Sequence, residues 1–363
     1  MKKLFVTFGV LVLALGLMAC GKKKTEEVAQ TPAPVTEAPT ATPEVETQVV
    51  EEIPEGMVKS KLTGEWITEK VAEERPMAMM INNIAYANAH QRGTSKFDIL
   101  YEAVTEGGIT RMMGVFQGKN KIKKTGSVRS ARHYYVSFAS EWDAIFCHFG
   151  QTKYAVAKIK KLKMDTLSGL SAIGPVVYWR DSKLVPPHNV FTDGKHLKKG
   201  MKRLKLRGKV KEEKMAQHFD FYDEDEETDL SEGKSAKSVL LPFSEYSVCT
   251  MKYKNGEYKK FEYGKKHKDH ANNKQLSFKN VIIQIIKEGN IDHNGYQQLY
   301  IQKNQGKGYY LTNGKRIPIT WKKNEKKRTM AYYDENGQLL TINPGKTYIA
   351  MFPKNRKGRI KFK

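Results

Sequence analysis

Two arginines stand three positions apart in the stretch GSVRSARHYY, residues 126–135. Apolar residues follow at helical spacing, and Ser130 occupies the position of an N-cap residue. The free N–H groups of a first helical turn attract anions, and the forked guanidinium group of arginine matches phosphate or carboxylate. Arg129, Ser130 and Arg132 are therefore predicted to form an anion-binding site at the N-terminus of a helix.

A carboxylate of the protein could neutralise these arginines instead of a ligand. The candidates are Glu102, Glu106 and Asp143. Cations at a helix N-terminus are unfavourable by about 0.3–1 kcal/mol each, so an anion of either origin has to compensate them. In the second alternative the arginines only tie the domain together.

Further polar residues are predicted at the ends of strands, where ligands tend to bind in α/β sheets. They are Glu106 and Arg111 on either side of a glycine pair, His148 after an apolar run, and His188 and Asn189 after two prolines. In an enzyme, Glu106 or His188 would serve as the acid or base. The sequence contains no nucleophile elbow, Walker loop, dinucleotide fingerprint or HExxH motif, so it lacks the signatures of those enzyme classes.

The sequence gives little support for a metal site or for a disulfide. His267, Asp269 and His270 could coordinate a metal ion, but they lie in a lysine-rich turn, and we predict neither a metal site nor a cofactor. Cys147 lies in an apolar run, as buried free thiols often do, and Cys249 is predicted to lie in another domain. A disulfide between them is the less favoured alternative.

The elements that would carry these residues alternate between strand and helix. RPMAMMINN, FDILYEAV, ITRMMGVFQ and DAIFCHFG are typical of strands, and TKYAVAKIKKL is typical of a helix. The lysine-rich residues 195–214 could form a basic amphipathic helix, whereas DFYDEDEETDLSEG is typical of an exposed loop. This alternation predicts an N-terminal α/β layered domain over residues 62–233.

Four Asn-Gly pairs mark the second half of the chain, at Asn255, Asn294, Asn313 and Asn336. Asn-Gly is a strong hairpin signal because both turn residues must accept positive φ. β-rich runs such as KNVIIQII and TYIAMF flank these pairs. Residues 234–363 are therefore predicted to form a mostly antiparallel β-domain, and the overall fold class is α+β.

Positive charge is concentrated in this second half. The chain has a net charge of +24, and residues 243–363 alone hold 26 Lys or Arg against 9 Asp or Glu. Such a field attracts polyanions. Nucleic acid is not an expected partner of an exported protein, so the predicted partners are an anionic wall polymer or phospholipid headgroups. The alternative is that the lysines only keep the surface soluble.

The N-terminus predicts export and a lipid anchor. Two lysines precede an apolar run that ends in LMAC, which resembles the bacterial lipobox. Residues 1–19 are therefore predicted to be a lipoprotein signal peptide, and Cys20 the acylated first residue of the mature chain, which places the protein on the extracytoplasmic face of the cell membrane. The plain alternative is a cleaved signal or anchor that happens to end in cysteine. Residues 20–60, rich in Pro, Thr and Glu, predict a disordered tether.

Nine motifs occur here in the order found in the YerB-like lipoproteins, which the sequence resembles from about residue 62 to 355. They are RPMAMMINN, DILYEAVTEGGITRMMGVFQ, GSVRSARHYY, DAIFCHFG, PPHNVF, YGKKHKDH, FKNVIIQ, NGKRIPITWKK and NGQLLTINPGKTYIAMFP. The sequence departs from the family at Ser127, where proline is usual, and at residues 150–152, where a Gly-Gly-Ser run is usual. The resemblance implies a two-domain envelope lipoprotein with domains of unknown function, and it implies no reaction.

These observations predict a membrane-anchored envelope lipoprotein that binds an anionic envelope component. The alternative is an enzyme acting on a phosphate- or pyrophosphate-linked envelope glycan, with arginines that neutralise the developing phosphate charge. Convergence of Arg111, Arg129, Arg132, His148 and His188 on one open pocket would favour the enzyme.

Overall fold

A computed structural model describes residues 54–301 and 304–363, which belong to one compact unit. The predicted signal peptide 1–19, Cys20 and most of the predicted tether 20–60 lie outside the described residues. The end of the tether was placed too late, because Met57–Lys59 already form a strand that pairs with Trp66–Thr68. None of the helices in the described part of the chain is long and apolar enough to cross a membrane.

Short helices are interspersed with many strands. The α-helices are α1 Glu69–Ala72, α2 Ala85–Asn88, α3 His133–Ser140, α4 Lys153–Leu162, α5 Gly174–Val177 and α6 Gly194–Arg203. The 3-10 helices are Thr94–Lys96, Glu106–Gly108, Lys119–Lys121, Glu212–Lys214, Glu224–Glu226 and Lys354–Arg359. The basic helix predicted within residues 195–214 is thus α6, and only the first half of that range is α-helical.

The strands follow in chain order. The first ten are β1 Met57–Lys59, β2 Trp66–Thr68, β3 Met77–Asn82, β4 Ile99–Val104, β5 Thr110–Phe116, β6 Thr125–Gly126, β7 Ile145–His148, β8 Thr166–Ser168, β9 Trp179–Arg180 and β10 Val190–Thr192. The next nine are β11 Asp220–Phe221, β12 Lys234–Ser235, β13 Ser238–Pro242, β14 Val248–Lys254, β15 Glu257–Glu262, β16 Lys265–Lys266, β17 Lys268–Asp269, β18 Lys274–Gln275 and β19 Ser277–Phe278. The last nine are β20 Asn280–Ile286, β21 Glu288–Asn290, β22 Gln297–Leu299, β23 Gln305–Thr312, β24 Lys315–Asn324, β25 Thr329–Tyr333, β26 Thr341–Ile342, β27 Thr347–Pro353 and β28 Lys361–Phe362.

An eleven-stranded mixed sheet organises the molecule, in the order β12-β24-β23-β20-β27-β4-β5-β3-β7-β8, with β25 beside β24. Strand β27 lies parallel between β20 and β4 and so joins the two halves of the sequence. A second, six-stranded sheet, β16-β15-β14-β13-β28 with β19 beside β15, is antiparallel throughout. The α+β class and the mostly antiparallel C-terminal half are confirmed. The boundary at 233/234 separates two sequence ranges that share one sheet, rather than two bodies packed apart.

Both faces of the large sheet are buried. Met77, Met79 and Ile81 of β3 enter one core, and Ala78 and Met80 enter the other, as the two-residue period of a strand requires. Residues of α5, α6 and the six-stranded sheet complete the first core, and residues of α3 and α4 belong to the second. Strands covered on both faces are apolar along their whole length, which explains the uninterrupted runs in the sequence.

Two of the four Asn-Gly pairs form the tight hairpins that the sequence predicts. Asn255 and Asn313 have positive φ, as do the glycines that follow them, and they join β14 to β15 and β23 to β24. The other two pairs lie in wider turns, between β21 and β22 and after β25. The glycine has positive φ in all four pairs, whereas the asparagine has positive φ only in the two tight hairpins.

Candidate functional site

Helix α3 begins later than the sequence indicates, because the residues before it are held extended. The backbone N–H of Arg129 donates to the carbonyl of Met80, and that of Ala131 donates to the carbonyl of Gly150. The N-cap residue is consequently Arg132, and the prediction of Ser130 in that position was wrong. The Ser130 hydroxyl instead donates to the carbonyl of Phe149 at 3.3 Å.

Arg132 is paired inside the protein. Its Nε lies 2.8 and 2.7 Å from the two carboxylate oxygens of Glu106, and a second nitrogen of the fork donates to the same carboxylate. Burial alone would raise the pKa of Glu106, but the hydrogen bonds and charge of Arg132 outweigh it and lower the pKa. For Arg132, the alternative of an internal carboxylate partner therefore holds.

Arg111 is the second residue of strand β5 and is only 4 % exposed. One guanidinium nitrogen donates to the carbonyl of Ser130 at 2.9 Å, while its buried Nε has no hydrogen-bond partner among the described residues. Burial, together with the charges of Arg132 and Arg129, lowers the pKa of Arg111 to about 9. A guanidinium group with a lowered pKa and an unused donor is suited to an anion that supplies both charge and acceptor.

Arg129 also lacks a carboxylate partner. It makes one long hydrogen bond, 3.3 Å, to the carbonyl of Pro187, and its buried Nε has no partner in the described part of the chain. Burial lowers the pKa of Arg129, and the charges of Arg132 and Arg180 lower it further. Arg180 belongs to the same group of cations, although the sequence analysis did not single it out.

Arg180 reaches the site through the small sheet β6-β10-β9, which brings it opposite Val190. Its guanidinium group lies 4.9 Å above the ring of Phe149 and donates to the side-chain oxygen of Asn189 at 2.8 Å. The Asn189 amide in turn donates to the carbonyl of Asp181, so Asn189 orients Arg180. The sequence signal was the arginine in VVYWRD, which ends a short strand.

His188 lies beside these cations as a neutral ring. Its Nδ1 is 2.7 Å from the Asn82 amide nitrogen, which donates and leaves the proton of the ring on Nε2. Burial lowers the pKa of His188, and the charges of Arg129 and Arg111 lower it further. Asn82 ends β3 directly opposite Arg111 on β5, which places His188 at the same edge of the sheet.

His148 does not join the cluster. Its Nδ1 contacts the carbonyl of Gly150 at 2.9 Å, and burial lowers its pKa to about 4. No arginine is among the causes of that lowered pKa. The His148 ring therefore contacts the loop at Gly150 and is not part of the charged group. Of the five residues whose convergence was in question, Arg111, Arg129, Arg132 and His188 come together and His148 stands apart.

We call Arg111, Arg129, Arg132 and Arg180 the arginine cluster. Within the described residues, Glu106 is the only carboxylate in salt-bridge contact with any of them. Four positive charges therefore face one negative charge, and two of the guanidinium groups retain a buried donor without an acceptor. The arrangement can bind and orient a multiply charged anion.

The lysine-rich turn has a structural role. His267 Nε2 lies 2.7 Å from the Gln91 amide oxygen, and the Asp269 carboxylate accepts from the backbone N–H groups of Gly93 and Ser95. His270 contributes its backbone N–H to the carbonyl of Gln91. Among the described residues, the ligand atoms of His267, Asp269 and His270 are not close enough to one another to hold a metal ion.

A buried charge network was not anticipated from the sequence. The ligand atoms of Glu102, Cys249 and Glu262 lie within 4.8 Å of one another. The Lys260 ammonium lies 3.0 Å from Glu102 and pairs with Glu262, so a cation of the protein itself occupies the middle of the group. Cys147 and Cys249 are both buried free thiols, and burial raises the pKa of each.

Comparison with known proteins identifies the family. Residues 62–207 match the "Protein of unknown function (DUF3048) N-terminal domain" and residues 239–349 match the corresponding C-terminal domain. The chain is 30 % identical over 302 residues to "Putative lipoprotein YerB" of Bacillus subtilis (strain 168), covering 82 % of this chain and 86 % of the relative. A crystal structure of the YerB protein from Bacillus subtilis superposes with a TM-score of 0.73 and 26 % identity, over 84 % of this chain and 99 % of that one. The chain therefore belongs to the family of YerB-like lipoproteins, with the N- and C-terminal DUF3048 domains.

Proposed function

We propose that this lipoprotein binds a phosphate group of an envelope component at the arginine cluster. The observation that carries the proposal is the pair of buried Nε donors of Arg111 and Arg129 that have no acceptor. A buried donor left without a partner costs about 1–3 kcal/mol. A bound anion removes that cost and offsets the mutual repulsion of the guanidinium groups at the same time.

The number of charges favours phosphate over a carboxylate ligand. After Glu106 has neutralised Arg132, three guanidinium charges remain in the cluster. A phosphate group offers up to two negative charges and several acceptor oxygens, whereas a carboxylate offers one charge and two oxygens. Arginine is the side chain best shaped for such contacts, because its planar fork donates two parallel hydrogen bonds.

The anchor places this activity at a membrane. We propose that acylation of Cys20 holds the protein on the extracytoplasmic face of the cell membrane and that residues 21–53 link the anchor to the folded part. Anionic wall polymers and phospholipid headgroups are the phosphate-bearing components of that environment. Both carry phosphate, which is the group that the cluster would contact.

The enzyme alternative has less support from the same geometry. Glu106 is held in an ion pair that lowers its pKa, which makes it a poor general acid near neutral pH. Nδ1 of His188 accepts a hydrogen bond from Asn82, and burial lowers the pKa of His148 to about 4 with no arginine among the causes. The side chains at hand therefore favour holding a phosphate group over transferring it.

A substitution of Arg129 tests the proposal directly. Arg129→Ala should leave the protein folded, since the side chain makes one long hydrogen bond and no ion pair among the described residues. In the unlipidated Cys20→Ser background, phosphate or pyrophosphate at ~100 times Kd should stabilise the parent by about 2.7 kcal/mol in melting experiments. The Arg129→Ala variant should lose most of that gain. The matched control is Arg203→Ala, an exposed arginine of α6; if the control loses as much as Arg129→Ala, or the parent is not stabilised at all, the proposal fails.

A further inference from the structure

A second basic site lies on the C-terminal half, at the outer face of the six-stranded sheet. Strands β14, β15, β18 and β19 and the turn at Thr94–Lys96 enclose a cleft of about 900 Å³. We call it the lysine cleft. Six of its lysines have no carboxylate within salt-bridge distance in the described part of the chain: Lys96, Lys252, Lys254, Lys266, Lys274 and Lys346.

Strand register concentrates the charge. In the β14–β15 hairpin Lys252 stands directly opposite Lys259, and Lys254 stands opposite Glu257. Residues two apart share a face of the sheet, so these four side chains project together. Like charges directly opposite one another destabilise a sheet. An anion bound between these lysines would reduce their mutual repulsion and so stabilise the sheet.

The one carboxylate of the cleft is already occupied. Glu257 binds Lys259 at 2.6 Å, and although burial alone would raise the pKa of Glu257, the contacts with Lys259 lower it. Lys346, at the inner end, donates to the carbonyl of Ser95 at 2.6 Å, and burial lowers its pKa. The cleft is thus strongly positive in the absence of a ligand.

Aromatic side chains add apolar surface between these charges. Phe261 follows Lys259 on the same face of β15, and the Lys252 ammonium lies 4.9 Å from the centre of its ring. Tyr253 and Phe278 also line the cleft. A ligand with carbon-containing units between its charged groups would contact both kinds of surface.

We propose that the lysine cleft binds a linear polymer with repeated phosphate groups. The cleft is far larger than a single phosphate ion, and its volume lies in the range of sites for larger ligands. Lysine carries a compact charge without the planar fork of arginine. A group of lysines therefore binds a ligand by the number and spacing of its charges rather than by the shape of one group. The proposal shares no residue with the arginine cluster and stands or falls independently of it.

Binding of linear inorganic polyphosphate to the full mature chain, with Cys20→Ser to remove the anchor, tests this proposal. We compare the parent with a cleft variant that combines Lys252→Gln, Lys266→Gln and Lys274→Gln. The control variant combines Lys160→Gln, Lys161→Gln and Lys202→Gln, which are exposed lysines of α4 and α6. Both variants lose three positive charges, so they differ only in where the charge is lost.

The cleft variant should bind polyphosphate roughly 100-fold more weakly than the parent, because each lysine near an anionic surface contributes about a factor of five. Its dependence of log Kd on log salt should be shallower by roughly two units, since fewer counterions are released. The control variant should stay within a few-fold of the parent.

Three results would overturn the proposal. Equal weakening by both variants would mean that net charge alone drives binding. A Kd for orthophosphate equal to that for polyphosphate, with both expressed per phosphate group, would exclude a polymer site. Tighter binding to vesicles of anionic phospholipid than to polyphosphate, lost in the cleft variant, would make the cleft a membrane contact. Melting curves of all three proteins establish that each is folded before binding is compared.

Discussion

Glu106→Gln removes the carboxylate that pairs with the arginine cluster and keeps the size of the side chain. In the parent, the side chains of Glu106 and Arg132 are 25 % and 11 % exposed. Exposed ion pairs contribute about 0–1 kcal/mol, whereas loss of one partner of a buried pair costs about 3–5 kcal/mol. This pair lies between those limits, so we expect the variant to lose about 2–3 kcal/mol of unfolding free energy without phosphate.

The same variant should bind phosphate more tightly. For an assumed separation of about 10 Å between Glu106 and a bound anion, removing the negative charge relieves roughly 1–2 kcal/mol of repulsion at an effective dielectric constant of about 20. That corresponds to a roughly tenfold decrease in Kd. Phosphate should therefore restore a larger share of stability to Glu106→Gln than it adds to the parent.

Urea unfolding and calorimetric titration, with and without phosphate, measure both effects. The exposed Glu335→Gln is the control, because Glu335 makes no ion pair in the described residues. The pKa of Glu106 is lowered from 4.5, so its ion pair stabilises the parent above pH 4.5, and this stability is lost as the pH falls through the folded pKa. The variant should lack that acid-dependent loss. Unchanged or weaker phosphate binding by Glu106→Gln would refute the assignment of phosphate to the arginine cluster.

Further predictions concern the buried network, the loop beside the site and the anchor. Burial and the charge of Glu102 raise the pKa of Glu262 from 4.5 to about 8, so the stability that the protonated carboxyl contributes is fully present below pH 4.5 and is lost as the pH rises from there through about 8. Glu262→Gln should flatten that decline in urea unfolding, and an equal decline in both proteins would contradict it. Gly150→Ala should cost about 1–3 kcal/mol in thermal melting, because Gly150 has a φ of +92° and a Cβ would lie 2.5 Å from the Ser130 hydroxyl. Cys20→Ser should move the protein out of the detergent phase in partitioning experiments, and unchanged partitioning would disprove the anchor.

Local patterns identified several of the central elements correctly. The apolar runs that became β3, β4, β5 and β7 could be read directly, because both faces of these strands are buried. Tight turns at Asn255 and Asn313 followed from residues that tolerate positive φ. The start of α3 was missed because hydrogen bonds from Arg129 to Met80 of β3 and from Ala131 to Gly150, in the loop after β7, hold the preceding residues extended. Met80 and Gly150 are too distant in sequence to be recognised from the local spacing of apolar residues.

The candidate site was identified only in part for the same reason. Arg111 and His188 were singled out by residue type and by their place at strand ends, and Arg129 by its place before a predicted helix. These three residues do come together. The choice between a ligand and an internal partner for Arg132 depended on which carboxylate reached it, and Glu106 lies 26 residues away along the chain. Arg180 joined the cluster only because β9 pairs with β10.

The sequence by itself predicted export and a lipid anchor, and it determined the alternation of elements, two tight hairpins and the excess of positive charge. Each of these depends on composition or on neighbours within a few residues. Only the tertiary structure decided that β27 inserts between β20 and β4 and that Lys252 stands opposite Lys259. It also decided that, among the described residues, one carboxylate pairs with one arginine of a cluster of four. Pairing between remote strands is selected by the burial of the whole sheet, and the balance of charge at a site depends on which loops that pairing brings together.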